Sequence, residues 1–212
     1  MNSNLWYLIG SLWGDPCFCI SNGRVYVGVY GEKEFCENFM RSLFDVFGEK
    51  GYLYFNRSTG CHVGLIEGSS ARLQKIYHHL AQFGPFNKNS WRVPEVLHRG
   101  TEEEKAKALR GYFDAEGCAY YDQKRGDRRI EVESKNKRGL LQVQNLLSSF
   151  WIISKLYRDR NWWKLRISCQ KNVRHFRNLV NFTISDKRTK LEKLVQSYKR
   201  NPYRKHPRAI PL

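Results

Sequence analysis

Two carboxylates, Asp15 and Glu116, stand 101 residues apart at the ends of segments that spell the same pattern. Leu8 matches Leu109, Gly10 matches Gly111, Gly14 matches Ala115, and Asp15 matches Glu116. Each segment reads as a helix with small residues one turn apart, followed by an acid. Small residues clear one stripe of a helix, so two such helices can pack backbone against backbone. That packing would bring two C-termini and two anions into one place. A helix C-terminus carries partial negative charge, and two acids there repel one another. A hard divalent cation relieves both penalties. Mg²⁺ suits such a pair, because it is held by one or two carboxylates and completes its shell with water and phosphate oxygens. The chemistry expected is metal-assisted hydrolysis at phosphorus.

The elements that must position these acids recur in the same order. Residues 5–13 form an apolar helix. Runs 17–21 and 24–30 are joined by Asn22-Gly23, a two-residue hairpin signal. Val25, Val27 and Val29 alternate with Arg24, Tyr26, Gly28 and Tyr30, giving one apolar and one outward face. Phe35, Phe39, Leu43 and Phe47 mark a helix over 34–47. A second hairpin pairs 52–56 with 61–67, and a helix over 69–82 opens on a serine cap. Residues 84–100, with Gly84-Pro85, Asn87, Asn89 and Pro94, read as a linker between a first unit (1–83) and a second (101–184). Thr101 with Glu104 spells a capping box for a helix over 102–114. Strands 116–122 and 128–134, a helix 137–150, strands 152–158 and 162–168, and a helix 171–183 complete the second unit. The fold class expected is α+β: two tandem pseudo-symmetric αββαββα half-domains whose antiparallel sheets curve into a saddle. Residues 185–212, a short helix over 189–198 and a tail, are basic, with nine Lys/Arg against two Asp/Glu up to Arg208.

Charge names the class of partner. The chain has 212 residues, 37 Lys+Arg and 20 Asp+Glu, a net charge of +17. Neutralising phosphates releases counterions, so such an excess favours a polyanion. No run is long enough to span a membrane, and Met1-Asn2-Ser3-Asn4 lacks the basic start of a secretory leader. An intracellular setting, in cytoplasm, nucleoid or organelle, is expected. The six cysteines lack the paired spacing of a zinc site and are expected to be reduced and mostly buried.

Leu109-Arg110-Gly111-Tyr112-Phe113-Asp114-Ala115-Glu116-Gly117 resembles the LAGLIDADG motif of homing endonucleases, and Leu8-Ile9-Gly10-Ser11-Leu12-Trp13-Gly14-Asp15-Pro16 resembles a weaker first copy. With the repeated element order, the resemblance covers essentially the whole chain. The segment from Phe182 to Leu191 is also similar to how members of that family often end. The resemblance implies a single-chain, two-motif member acting as a monomer with internal pseudo-two-fold symmetry. Its sheets would lie in the major groove of double-stranded DNA, and both strands would be cut at a long asymmetric target, in an intron-encoded setting. It implies Asp15 and Glu116 as metal ligands, Mg²⁺ as cofactor with Mn²⁺ as a substitute, and Lys135, at the end of a second strand, as a further catalytic residue.

This chain departs from the family pattern in its first half. Pro16 replaces the closing glycine of the motif, and Tyr30-Gly31 stands where a polar or basic pair is expected. The two centres are therefore expected to be unequal, with Lys33 or Gln170-Lys171 as substitutes. The departures also leave open an RNA maturase, a non-cleaving nucleic-acid-binding protein, or a nickase. Outward strand positions and loops give the DNA contacts expected: Arg24, Tyr26, Tyr30 and Arg57 in the first half, with Arg125, Arg128, Arg129, Glu131, Glu133, Arg158, Lys164 and Arg166 in the second. Arginine can bridge guanine O6 and N7, and glutamate can accept from cytosine. His78-His79 has no ligand spacing and reads as surface, Trp163 as core, and Asp114 as structural.

Overall fold

The structure, a computed structural model, describes residues 3–198. The basic tail expected beyond Tyr198 lies outside them. The first half runs α1 (Ser3–Ser11), β1 (Pro16–Ser21), β2 (Arg24–Gly31), α2 (Lys33–Phe47), β3 (Tyr52–Asn56), β4 (Cys61–Gly68) and α3 (Ala71–Ala81). A connecting stretch then contains the short helix α4 (Glu95–His98). The second half runs α5 (Glu102–Glu116), β5 (Cys118–Asp122), β6 (Asp127–Ser134), α6 (Lys137–Ser148), β7 (Ser154–Asp159), β8 (Trp162–Ser168) and α7 (Gln170–Leu179), and α8 (Ser185–Ser197) follows. The fold is α+β, with two four-stranded antiparallel sheets ordered β1-β2-β4-β3 and β5-β6-β8-β7.

Local chemistry accounts for the main punctuation. Asn22 (φ 49°) and Gly23 (φ 71°) both take the left-handed region that a two-residue primed turn requires. Their turn sets Ser21 opposite Arg24 and fixes the register of the hairpin. Thr101 caps α5: its hydroxyl accepts from Glu104 N at 3.2 Å, and its own N–H donates to the Glu104 carboxylate at 2.8 Å. Ser70 caps α3 by accepting from Leu73 N at 3.3 Å.

Each sheet turns one face to helices and the other outward. Val25, Val27 and Val29 are buried beneath α2, Ile130, Val132, Leu165 and Ile167 are buried under the helices of the second half, and all belong to one continuous apolar core. Trp163 packs against that core, partly buried, as expected. His78 and His79 are exposed in the last turn of α3.

Two expectations need correction. Only Cys36 is buried; Cys19, Cys118 and Cys169 are exposed, while Cys17 and Cys61 are intermediate, all six as free thiols. The register explains three of these, because Cys17, Cys19 and Cys118 pair with outward positions Gly28, Tyr26 and Glu131. The helix boundaries also shift. The first helix stops at Ser11, so Asp15 lies in a bend beyond it, whereas α5 continues through Glu116. Pro16 begins β1 there, where its missing N–H interrupts no helical hydrogen bond.

Candidate active site

The site is built on the contact between α1 and α5. A Cβ placed on Gly10 would fall onto the Ala108 carbonyl, and one on Gly111 onto the Tyr7 carbonyl. Backbone therefore meets backbone along the stripe read from the sequence. At its lower end, a Cβ on Gly14 would meet Ala115 and lie 3.2 Å from Glu116 Oε1. The Glu116 carboxylate thus reaches the residue that precedes Asp15. Asp15 is pinned by its backbone, whose carbonyl accepts from Tyr30 N at 3.0 Å and so ties the bend to β2.

Electrostatics records how close the acids are. Burial first, then the negative charge of Asp15 and, less, that of Glu133 together push the Glu116 carboxyl up to about 7. Lys88 and Lys187 oppose the rise. Lys187 donates to the Asp114 carbonyl at 2.6 Å and to the Ala115 carbonyl at 3.4 Å, satisfying acceptors that α5 leaves open at its C-terminus. Burial holds its ammonium below the usual lysine range.

Lys88, in the connecting stretch, places Nζ 3.2 Å from Asp15 Oδ1. Its ammonium also lies 5.9 Å from the Trp162 ring centroid, and Lys135 Nζ lies 5.1 Å from the same ring. One indole therefore gathers a lysine from the end of β6 and a lysine from the linker. Lys33 instead faces Glu37 at 3.7 Å, and Gln170 opens α7. Lys88 and Lys187 were missed as site residues in the sequence because their approach depends on tertiary packing, and no periodicity or motif marks either position.

Asp114 takes the structural role expected of it. It is 1% exposed and accepts from Tyr7 Oη at 3.0 Å, from Thr183 N at 2.9 Å and from Thr183 Oγ1. Burial raises its carboxyl pKa despite these donors. Asn38 donates to Thr183 Oγ1 at 3.2 Å, and Ser185 donates through N and Oγ to Glu34 at 2.8 and 2.7 Å. The segment after α7 therefore binds both halves together beside the acids. Thr183→Val removes the hydroxyl that joins Asp114, Asn38 and Tyr7. It is expected to cost about 1–3 kcal/mol of unfolding free energy, measured by chemical denaturation; an unchanged midpoint would show the link to be idle.

The outward sheet faces carry most of the remaining residues. Arg24 pairs with Glu67 at 3.3 Å, and Tyr26 and Tyr30 are half-buried along β2, Tyr30 at the end nearest Asp15. In the second, Arg129 and Arg166 both meet Glu131, the former at 3.2 Å. Their guanidiniums lie 4.2 and 5.0 Å from the rings of Tyr120 and Tyr157. Lys164 bridges Glu133 (3.4 Å) and Asp159 (2.8 Å). Arg57 and Arg125 are exposed in loops. Arg128 turns to the helix side, donating to Ser197 Oγ at 2.8 Å between the rings of Tyr121 and Tyr198. Arg158 lies at Trp163, 5.9 Å from its ring.

A hard cation fits this donor set. Among the described residues no group of three or more His, Cys, Asp or Glu side chains forms a metal cluster. Two carboxylates suffice for an ion that completes its shell with water and phosphate, and the mutual repulsion of Asp15 and Glu116 is what such an ion would remove.

Comparison with known proteins places the fold. A family model described as LAGLIDADG-like domain matches residues 103–181. The fold matches the homing endonuclease I-DmoI in complex with DNA and Ca (TM-score 0.63, 17% identity, 90% of this chain and 97% of that one). It also matches the homing endonuclease I-WcaI bound to its DNA recognition sequence (TM-score 0.63, 18% identity, 90% and 86%), and the N-terminal LAGLIDADG domain of DUF199/WhiA (TM-score 0.55, 13% identity, 84% and 82%). Among curated proteins, the probable translation initiation factor IF-2 of Thermococcus kodakarensis is 34% identical over 146 residues, 68% of this chain and 12% of that protein. The glutamine–fructose-6-phosphate aminotransferase of Methanocaldococcus jannaschii is 34% identical over 122 residues, 54% and 11%. The chain thus spans about a tenth of the length of these curated relatives.

Proposed function

We propose that this chain, which carries a LAGLIDADG-like domain over residues 103–181 in the fold of single-chain homing endonucleases, is itself a site-specific endonuclease that cuts both strands of a long, asymmetric DNA duplex. It would act as a monomer, its two halves supplying the symmetry that a dimer would otherwise provide. The observation that carries the reading is the pair of acids at the foot of the α1–α5 contact, each at the edge of a sheet whose outward face is free to lie along a groove. The net charge of +17 supports a polyanionic partner. The curated relatives support a mobile setting; intron encoding rests on the family resemblance alone, because each relative carries its stretch inside its own polypeptide. An initiation factor and an aminotransferase share no activity, yet each contains a stretch like this one, so the stretch moves independently of its surroundings.

Asp15 and Glu116 would hold Mg²⁺, or Mn²⁺ in its place. When bound, the ion supplies activated water and steadies the leaving oxygen. The chain's own residues do the rest. The α1–α5 contact fixes the two carboxylates relative to each other. Lys135 and Lys88, held at Trp162, present positive charge where a phosphate gains negative charge. Lys187 keeps the end of α5 in place.

The test starts from a duplex selected by binding from a randomised pool and cloned into a supercoiled plasmid. Linear product with Mg²⁺, and none with a chelator, supports the reading; tight binding without cutting under both conditions overturns it. The non-cleaving alternative, an RNA maturase or a regulator, is favoured by Tyr30-Gly31, which puts no cation at the end of β2. Lys88 answers that gap. Lys88→Met is expected to slow one strand about 10²-fold, and Lys135→Met the other, each leaving nicked circles whose broken strand is identified by end labelling. Equal slowing of both strands by Lys88→Met would remove it from the first centre.

A further inference from the structure

The outward faces of the two sheets occupy matched positions but differ in chemistry. In the register row nearest Asp15, Tyr30 faces Val63, which faces Tyr54; the next row runs Cys17, Gly28, Leu65, Tyr52. Neither row holds a charge. Val63 is fully buried and Leu65 is 3% exposed, yet neither belongs to the main core, because both lie on the other face of the sheet. Tyr52 and Tyr54 stack across this floor with ring centroids 6.0 Å apart. The charges of this face, Arg24 and Glu67, sit at its far end and pair with each other. The equivalent rows of the second sheet are Glu133, Lys164, Tyr157 and Cys118, Glu131, Arg166, Lys155. There the arginine forks are held ready by Glu131 and by tyrosine rings.

We infer that the duplex recognised by this chain is lopsided in base content. Beside the cut, the half under the first sheet is A·T-rich and is read by apolar contact with thymine methyl groups. The half under the second sheet carries guanines read by Arg129 and Arg166. This rests on the reading of the chain as a duplex-DNA binder. The physical reason is the edge chemistry of the major groove. A guanine presents two acceptors, O6 and N7, that match an arginine fork. A thymine presents a methyl group that the exposed rings of Tyr52 and Tyr54 can cover, with the buried Val63 and Leu65 as their neighbours in register. Both kinds of pair present polar edge groups that tyrosine hydroxyls can meet. Only an A·T pair adds a methyl group, so only there does an uncharged face gain apolar burial.

The experiment is selection by gel shift from a randomised duplex pool with Ca²⁺ present, followed by atom-level changes in the enriched site. The enriched sites are expected to have one A·T-rich inner half and one half with recurring guanines. Replacing thymine by deoxyuridine in the first removes only methyl groups, and binding should fall about fourfold per buried methyl. Replacing guanine by 7-deazaguanine in the second should weaken binding about tenfold or more. Arg166→Ala should relax base preference only in the guanine half and leave the deoxyuridine effect intact. The DNA substitutions do not depend on the folding of any variant. Balanced halves, or deoxyuridine without effect, overturn the inference while leaving a DNA-binding protein. A pool that never enriches, with RNA binding in its place, overturns the duplex reading itself.

Discussion

Glu116→Gln and Asp15→Asn are each expected to reduce double-strand cleavage by about 10³-fold or more, with folding and DNA binding preserved. Each substitution keeps the side-chain shape and removes one anionic oxygen donor from a site built on these two acids. A hard cation then loses both a ligand and the charge that attracts it. Affinity for Ca²⁺, titrated with intact duplex, should fall in parallel. Glu116→Gln carries a second signature. The folded protein holds the Glu116 proton up to about pH 7, above the ordinary glutamate value. In the cation-free protein its ionisation therefore opposes folding, and this cost grows as pH rises from about 4.5 to about 7. The glutamine variant lacks that cost, so without added metal it should melt no lower than the parent, and its relative advantage should widen across that range. Unchanged cleavage by either variant would end the nuclease proposal.

Gly111→Val is expected to cost about 4 kcal/mol or more of unfolding free energy, enough to leave a large unfolded fraction. Its added side chain begins on the Tyr7 carbonyl, with Ser11 N and Ser11 Oγ at 2.8 and 2.9 Å from the Cβ alone. Backbone atoms of a helix cannot step aside singly, so α1 and α5 must part along their length, opening the buried layer around Leu8, Leu12, Leu109 and Tyr112. Glu103→Ala, on the exposed first turn of α5, is the matched control and should change stability by no more than about 0.5 kcal/mol. Denaturant midpoints decide the matter. If Gly111→Val unfolds like the parent, the close approach is not a structural requirement.

The architecture was legible because two kinds of signal agreed. Period-two valines in β2, the Asn22-Gly23 turn and the Thr101–Glu104 box are local, and each appears in the structure with the geometry its chemistry dictates. The doubled small-residue pattern carried the close helix contact from sequence alone. Tertiary placement was not legible. The α4 turn lies in a stretch whose prolines and asparagines read as loop. Val63 and Leu65 alternate with Gly64 and Ile66, so β4 looks apolar on both faces and conceals its outward floor. The cysteines failed for a related reason: their usual preference for interiors yields to strand parity, which points Cys17, Cys19 and Cys118 outward. Lys88 reaches Asp15 across 73 residues of chain, a distance no local pattern spans.

The segment from Phe182 to Lys187 fastens the second half onto residues of the first: Thr183 onto Tyr7 and Asn38, Ser185 onto Glu34. A ribosome-bound chain that has not yet exposed this segment has both acids but lacks the clasp between its halves, along with the lysine that seats the end of α5. Assembly of the pair thus waits for translation of this segment. A polypeptide that stops short of Phe182 is left with its acids unclamped.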